Sequence, residues 1–170
     1  MTTSIVVDGL TFEFSDGWRA SKYDDWSFYR NQFSKAQRGI KAVDLLAIDS
    51  SDEIWLIEVK DYRLHPRTRP EEIHDEVAKK VVDTLAALLP ASINANDDEE
   101  LEFAKRTLAA AKIHVVLHLE QPATLSRLRP TPVDPASVMQ KLRKAVKPIG
   151  SAEVVSSTSS RLPWSVRRRP

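Results

Sequence analysis

The sequence predicts one α/β domain, a central mixed sheet flanked by helices, and three observations carry that prediction. Short β-rich runs bounded by turn formers alternate with longer runs of helical periodicity. The two central β-rich runs are apolar on both faces, the pattern of strands that are covered on each side. A chain of 170 residues with 42% hydrophobic content can bury one substantial core but is short for two full domains. The expected organisation is a single unit over 1–170, with its core at about 24–156 and a basic C-terminal tail at 157–170.

The elements follow in order. Ile5–Phe14 holds two β-rich pieces around Asp8-Gly9, a two-residue hairpin signal. From Asp24 or Asp25 as N-cap, the aromatic spacing of DDWSFYRNQFSK predicts a short amphipathic helix. Ile40–Ile48 and Ile54–Tyr62 are strand-like and are joined by the turn-forming cluster Asp49–Glu53, so they form a hairpin in which Ile48 pairs with Ile54. Ile73, Val77, Val81, Leu85 and Leu88 recur at spacings of three and four, predicting a helix over Glu71–Leu89 that Pro90 stops. A helix at Leu101–Lys112, a strand at Ile113–Leu119, a helix near Ala136–Lys147 and a last strand near Ala152–Ser156 complete the series.

Composition excludes several function classes. There is no cysteine, so disulfides and thiolate zinc sites are out of reach, and a reducing cytoplasm is the expected location. No run approaches the roughly 18 apolar residues of a membrane span. The four glycines are isolated, which leaves no phosphate-cradling loop. No serine sits in a nucleophile elbow. The net charge of +1 conceals a division: residues 1–120 carry 15 basic against 22 acidic side chains, and residues 121–170 carry 10 against 2. That basic end offers a foothold for a polyanion, or is simply a frayed tail.

The chemistry-bearing constellation is Asp44 with Glu58-Val59-Lys60. The triplet alone is a weak signal; the register sharpens it. Side chains alternate along a strand, so Glu58 and Lys60 share a face, and the pairing of Ile48 with Ile54 carries Asp44 opposite Glu58. Two facing carboxylates between apolar residues repel and lose solvation, a cost that a bound cation would remove. Oxygen ligands of this kind suit Mg²⁺ or Mn²⁺. The bland alternative is a surface ion triad of Lys60 with the two carboxylates, worth roughly 0–1 kcal/mol.

These residues, Ile40–Ile48 followed by IWLIEVKDYR, resemble the PD-(D/E)XK nuclease superfamily over about residues 24–120, with Val43 where the proline of the family's name would stand. The resemblance implies a restriction-endonuclease-like αβββαβ core and a metal-dependent nuclease acting on nucleic acid, DNA first. It also implies Mg²⁺ (or Mn²⁺) held by Asp44, Glu58 and the Val59 carbonyl, with Lys60 activating water. An inactive nucleic-acid-binding or interaction module on the same fold is the competing expectation. Arg63, Arg67 and Arg69, just after the triplet, are the expected phosphate contacts, with Lys79 and Lys80 as second choices.

His114 and His118 read as strand residues some 13 Å apart at about 3.3 Å per residue, too far to share an ion. His65 and His74 are expected to face solvent. Cutting both strands of a duplex would call for a homodimer. The N-terminal hairpin edge and the apolar group Leu162, Pro163 and Trp164 are its expected surfaces, unless Trp164 folds back on its own core.

Overall fold

A computed structural model describes residues 2–63, 67, 71–122, 133–159 and 161–168. The chain opens with the hairpin β1 (Thr3–Val7) and β2 (Leu10–Phe14). Asp8 and Gly9 both take positive φ, 48° and 77°, and Val7 pairs with Leu10, as a two-residue turn of this type requires. Next come β3 (Arg19–Lys22), a 3-10 turn at Tyr23–Asp25, the short helix α1 (Ser27–Asn31) and a second 3-10 turn at Phe33–Lys35. The expected continuous helix over this stretch is therefore broken. No side chain at its own start caps α1; instead Glu100, far along the chain, accepts the Ser27 and Phe28 amides at 2.6 and 3.0 Å.

β4 (Leu45–Ile48) and β5 (Ile54–Asp61) form the predicted hairpin with Ile48 opposite Ile54. The first strand is shorter than Ile40–Ile48 for a visible reason. The Lys41 amide donates to Asp83 and the Val43 amide to Thr84, so this segment is bonded to a helix and not to a neighbouring strand. That helix, α2 (Ile73–Asn94), runs through Pro90. Proline removes one backbone donor, yet Leu88 and Ala91 on either side are buried and hold the turn in place. α3 (Asp98–Leu108) starts at the Asp97 cap and is followed by β6 (Ile113–Glu120), α4 (Pro135–Ala145), β7 (Ser151–Val155) and β8 (Ser165–Arg168).

The large sheet has the order β3-β4-β5-β6-β7, antiparallel through β5 and parallel from β5 to β7. The smaller sheet is β1-β2-β8, antiparallel throughout. The fold is thus mixed α/β. Alternation along β4 and β5 divides the core in two. Leu46, Ile48, Ile54 and Leu56 pack with the helices, whereas Leu45, Ala47, Ile57 and Val59 pack with Phe12, Phe14 and Trp164 of the small-sheet side. No helix among the described residues is long and apolar enough to cross a membrane.

Two features escaped sequence analysis. β3 is a polar edge strand, Arg-Ala-Ser-Lys, with no apolar alternation to reveal it. Within the basic tail, Ser165–Arg168 is a strand paired with β2. Trp164, 5% exposed, lies against Phe14, Trp18 and Trp55, so Leu162–Trp164 is not the free apolar surface proposed for a dimer. Replacing Trp164 by alanine should remove about 3 kcal/mol of stability by emptying this aromatic layer. Urea denaturation would check it, and a loss below about 1 kcal/mol would mean that the layer does not hold β8 in place.

Candidate functional site

Asp44 sits one residue ahead of β4, where its carbonyl accepts the Tyr23 amide at 2.9 Å. Its side chain shares a parity with Leu46 and Ile48 and so belongs to the helix side of the sheet. One oxygen, Oδ2, accepts the Val59 amide at 2.6 Å. Glu58 and Lys60 have the same parity on β5 and meet two residues of α2, Glu76 and Lys80, which stand one helical turn apart.

The result is a chain of alternating charges. Lys80 donates to Glu58 Oε1 at 2.6 Å and lies 3.9 Å from Asp44 Oδ1, so one ammonium serves both carboxylates. Lys60 stands 2.8 Å from Glu58 Oε1 and donates to Glu76 Oε1 at 2.8 Å. Arg67 closes the series by donating to Glu76 Oε2 at 3.2 Å and to the Tyr62 hydroxyl at 2.9 Å. Glu58 and Glu76 are 1% and 0% exposed, so this is not the surface triad weighed from the sequence; Lys60 pairs with Glu58 and Glu76. Burial and then the neighbouring Asp44 charge push the Glu58 carboxyl up to about 7, against the pull of the two lysines. Burial alone would lower Lys60, but Glu58 and Glu76 hold it above its usual range.

Beside this chain lies a cavity of about 300 Å³ lined by Asp24, Tyr29, Lys41, Asp44, Lys60 and Lys80, among others. Two buried carboxylate oxygens here, Glu58 Oε2 and Asp24 Oδ1, have no hydrogen-bond partner. Among the expected phosphate contacts, Arg63 is doubly bonded to Asp61 at the end of β5 and Arg67 belongs to the charge chain. Arg69 and His65 lie outside the described residues. Lys79 pairs with Asp83 on the outer side of α2. His118 is buried against Glu120, and His114 bridges Ser151 and Glu53. Glu76 was missed. Its signal was the pairing with Lys80 at i, i+4 beside the buried Val77 and Val81, two charges on the inward face of an amphipathic helix.

The chain is similar in sequence to a named protein. Over 96% of its length the chain is 30% identical to a cysteine–tRNA ligase of Neisseria meningitidis serogroup A / serotype 4A. It spans 30% of that ligase's length. No family profile and no solved structure matches the chain. The match corrects the functional expectation. A relative named as a tRNA ligase points away from a metal-dependent nuclease or DNA hydrolase, and that expectation is withdrawn.

The Mg²⁺ implied by the resemblance meets a donor set that is already engaged. Asp44 Oδ2 holds a backbone amide, Glu58 Oε1 holds two ammonium groups, and among the described residues no three carboxylate or imidazole side chains gather as a metal cage. As they stand the residues do not fit an ion, because Lys80 fills the place between the carboxylates where the ion's charge would act.

Two expected outcomes follow from this arrangement. Lys80→Met should raise the apparent Mg²⁺ affinity about tenfold or more, since a cation competes with the ammonium for the same pair. Calorimetric titration would read this; unchanged or weaker affinity would show that Lys80 is not the counter-charge. The second concerns pH. With its folded pKa above the unfolded value, Glu58 binds more protons in the native state between about pH 4.5 and 7, so its contribution to stability falls as pH rises through that window. His118, lowered by burial, contributes with the opposite slope, so the comparison is with Glu58→Gln. The variant should gain on the parent by on the order of 3 kcal/mol between pH 5 and pH 8. A constant difference between the two proteins across that range would rule the linkage out.

Proposed function

We propose that this chain is an RNA-engaging module, related to part of a tRNA ligase, and that the cavity beside Lys80 receives a ribonucleotide of its RNA. The observation that carries the proposal is the 30% identity to the cysteine–tRNA ligase, extending over 96% of the chain. The chemistry of the cavity supports it. Lys41, whose ammonium lies 3.6 Å from Glu71, lines the cavity as a point charge for a phosphate, and Asp24, whose buried Oδ1 accepts no hydrogen bond, supplies an acceptor for a ribose hydroxyl. Acceptors placed for a 2′-hydroxyl are what allow a protein to prefer RNA over DNA. A volume of about 300 Å³ suits one nucleotide.

The PD-(D/E)XK resemblance is retained as a proposal about scaffold only. In its favour are the antiparallel run β3-β4-β5, the helical crossover and the parallel β6; against a simple αβββαβ order, the short helix follows β3 and does not precede it.

The test is fluorescence anisotropy with labelled tRNA and with a DNA strand of the same sequence. The expected result is at least tenfold tighter binding of tRNA, weakened about tenfold in Lys41→Ala, with the salt slope reduced by about one. Equal affinity for the two polymers would refute the ribose contact. An unaltered slope in Lys41→Ala would refute the cavity as the phosphate site.

A further inference from the structure

Most of the described cations among residues 1–120 have a carboxylate partner. Lys35 and Arg38 do not. Both are exposed, and among the described residues neither side chain makes an ion pair or a hydrogen bond. They belong to a segment, residues 30–41, that holds four basic side chains (Arg30, Lys35, Arg38 and Lys41) and no acidic one, in a part of the chain where acidic side chains outnumber basic ones 22 to 15. The other two are paired at longer distances, Arg30 with Asp25 at 3.4 Å and Lys41 with Glu71 at 3.6 Å.

This segment is a loop standing on the cavity beside Lys80. Tyr29, just before it, and Lys41, at its end, both line that cavity, and the Tyr29 hydroxyl donates to the Ile40 carbonyl at 3.4 Å across the base of the loop. The Lys41 amide fixes the same base to Asp83. Residues 35–39 between these anchors are all exposed. Gly39, at φ 82°, lets the chain turn back, and a Cβ there would meet nothing within 4 Å, so the loop is open to an approaching ligand.

We propose that, on the reading that the cavity takes a ribonucleotide, this loop is the track of the RNA strand as it leaves the cavity, with Lys35 and Arg38 holding the phosphates that flank the bound nucleotide. A polyanion is repelled where carboxylates dominate and settles where they are absent. Exposed cations without a partner are those whose pairing with phosphate releases counterions, whereas a cation already neutralised by a carboxylate adds little. Arg38 is three residues from Lys41, no more than about 11 Å along the backbone, so its planar fork reaches a phosphate neighbouring the one at Lys41. The other cationic stretch, at the end of α4, has a local cause. Cations favour a helix C-terminus, Lys141 faces Glu72, and Arg143 donates to the Ala152 carbonyl. No residue of α4 lines the cavity.

The experiment uses the full chain with two probes: a single-stranded oligoribonucleotide of about 12 residues, followed by fluorescence anisotropy, and a dinucleoside monophosphate, followed by NMR titration, whose one phosphate the cavity alone would take. Lys35→Ala combined with Arg38→Ala should weaken the oligomer roughly twentyfold at 0.1 M salt and lower the salt slope by about 1.4, the value for two phosphate contacts on a single strand. The dinucleoside monophosphate should bind this variant as it binds the parent. Lys144→Ala combined with Lys147→Ala removes the same charge from α4 and should change neither affinity. All four side chains are exposed, so circular dichroism should be unaltered. Unchanged oligomer binding in the loop variant, with Lys41→Ala still weakening it, would overturn the track and leave the cavity reading standing. An equal loss in the α4 variant, or an acidic peptide of equal charge competing as well as RNA, would overturn the track as well. A parent that binds neither probe would overturn the cavity reading, and the track with it.

Discussion

Burial of the Glu58 carboxylate beneath two ammonium groups is the constraint on which the rest of this structure depends. An isolated carboxylate at 1% exposure would be prohibitively costly, and Lys60 from its own strand and Lys80 from α2 offset that cost. Because one lysine is on the sheet and the other on the helix, the ion pairs also fix where α2 lies along β5. Glu76 repeats the device one helical turn earlier, with Lys60 and Arg67 as partners. Removing one cation would leave this buried cluster with a net negative charge, which is more damaging than losing a surface pair.

Asp44 is held by a different means. It lies outside the ladder, and its place is set by the Tyr23 amide on its carbonyl and the Val59 amide on its carboxylate. The segment before it is tied to α2 through Asp83 and Thr84. The 3-10 turn after β3, β5 and α2 therefore converge on one short stretch of chain. The cavity beside that stretch is lined by this turn, α1, β5 and α2.

Much of this was legible in the sequence because it depends on local signals. Asp8-Gly9 specified the first hairpin, and the length of the Asp49–Glu53 turn set the β4–β5 register, which brought Asp44 and Glu58 to one side of the sheet. What was not legible depends on contacts distant along the chain. Glu100 caps α1 from 73 residues away, β8 pairs with β2 across the whole chain, and Pro90 is tolerated because its neighbours are buried. Local periodicity carries no information about any of these. The function was misread for a related reason, since an Asp…Glu-x-Lys pattern specifies a geometry and leaves open what the geometry serves.

The residues that separate the alternatives for this pattern lie outside it. Asp44, Glu58 and Lys60 alone describe two carboxylates with one cation, a net negative site that invites a metal ion. Glu76, Arg67 and Lys80 change the count to three carboxylates and three cations, each carboxylate within reach of at least one cation. A site so balanced has little free charge to offer a bare divalent ion. In the reading we propose, it offers instead a mosaic of donors and acceptors to a ligand that itself combines an anion with hydroxyl groups. The chemistry of the site is thus decided on α2, by side chains at positions 76 and 80 that a search confined to the strands would pass over.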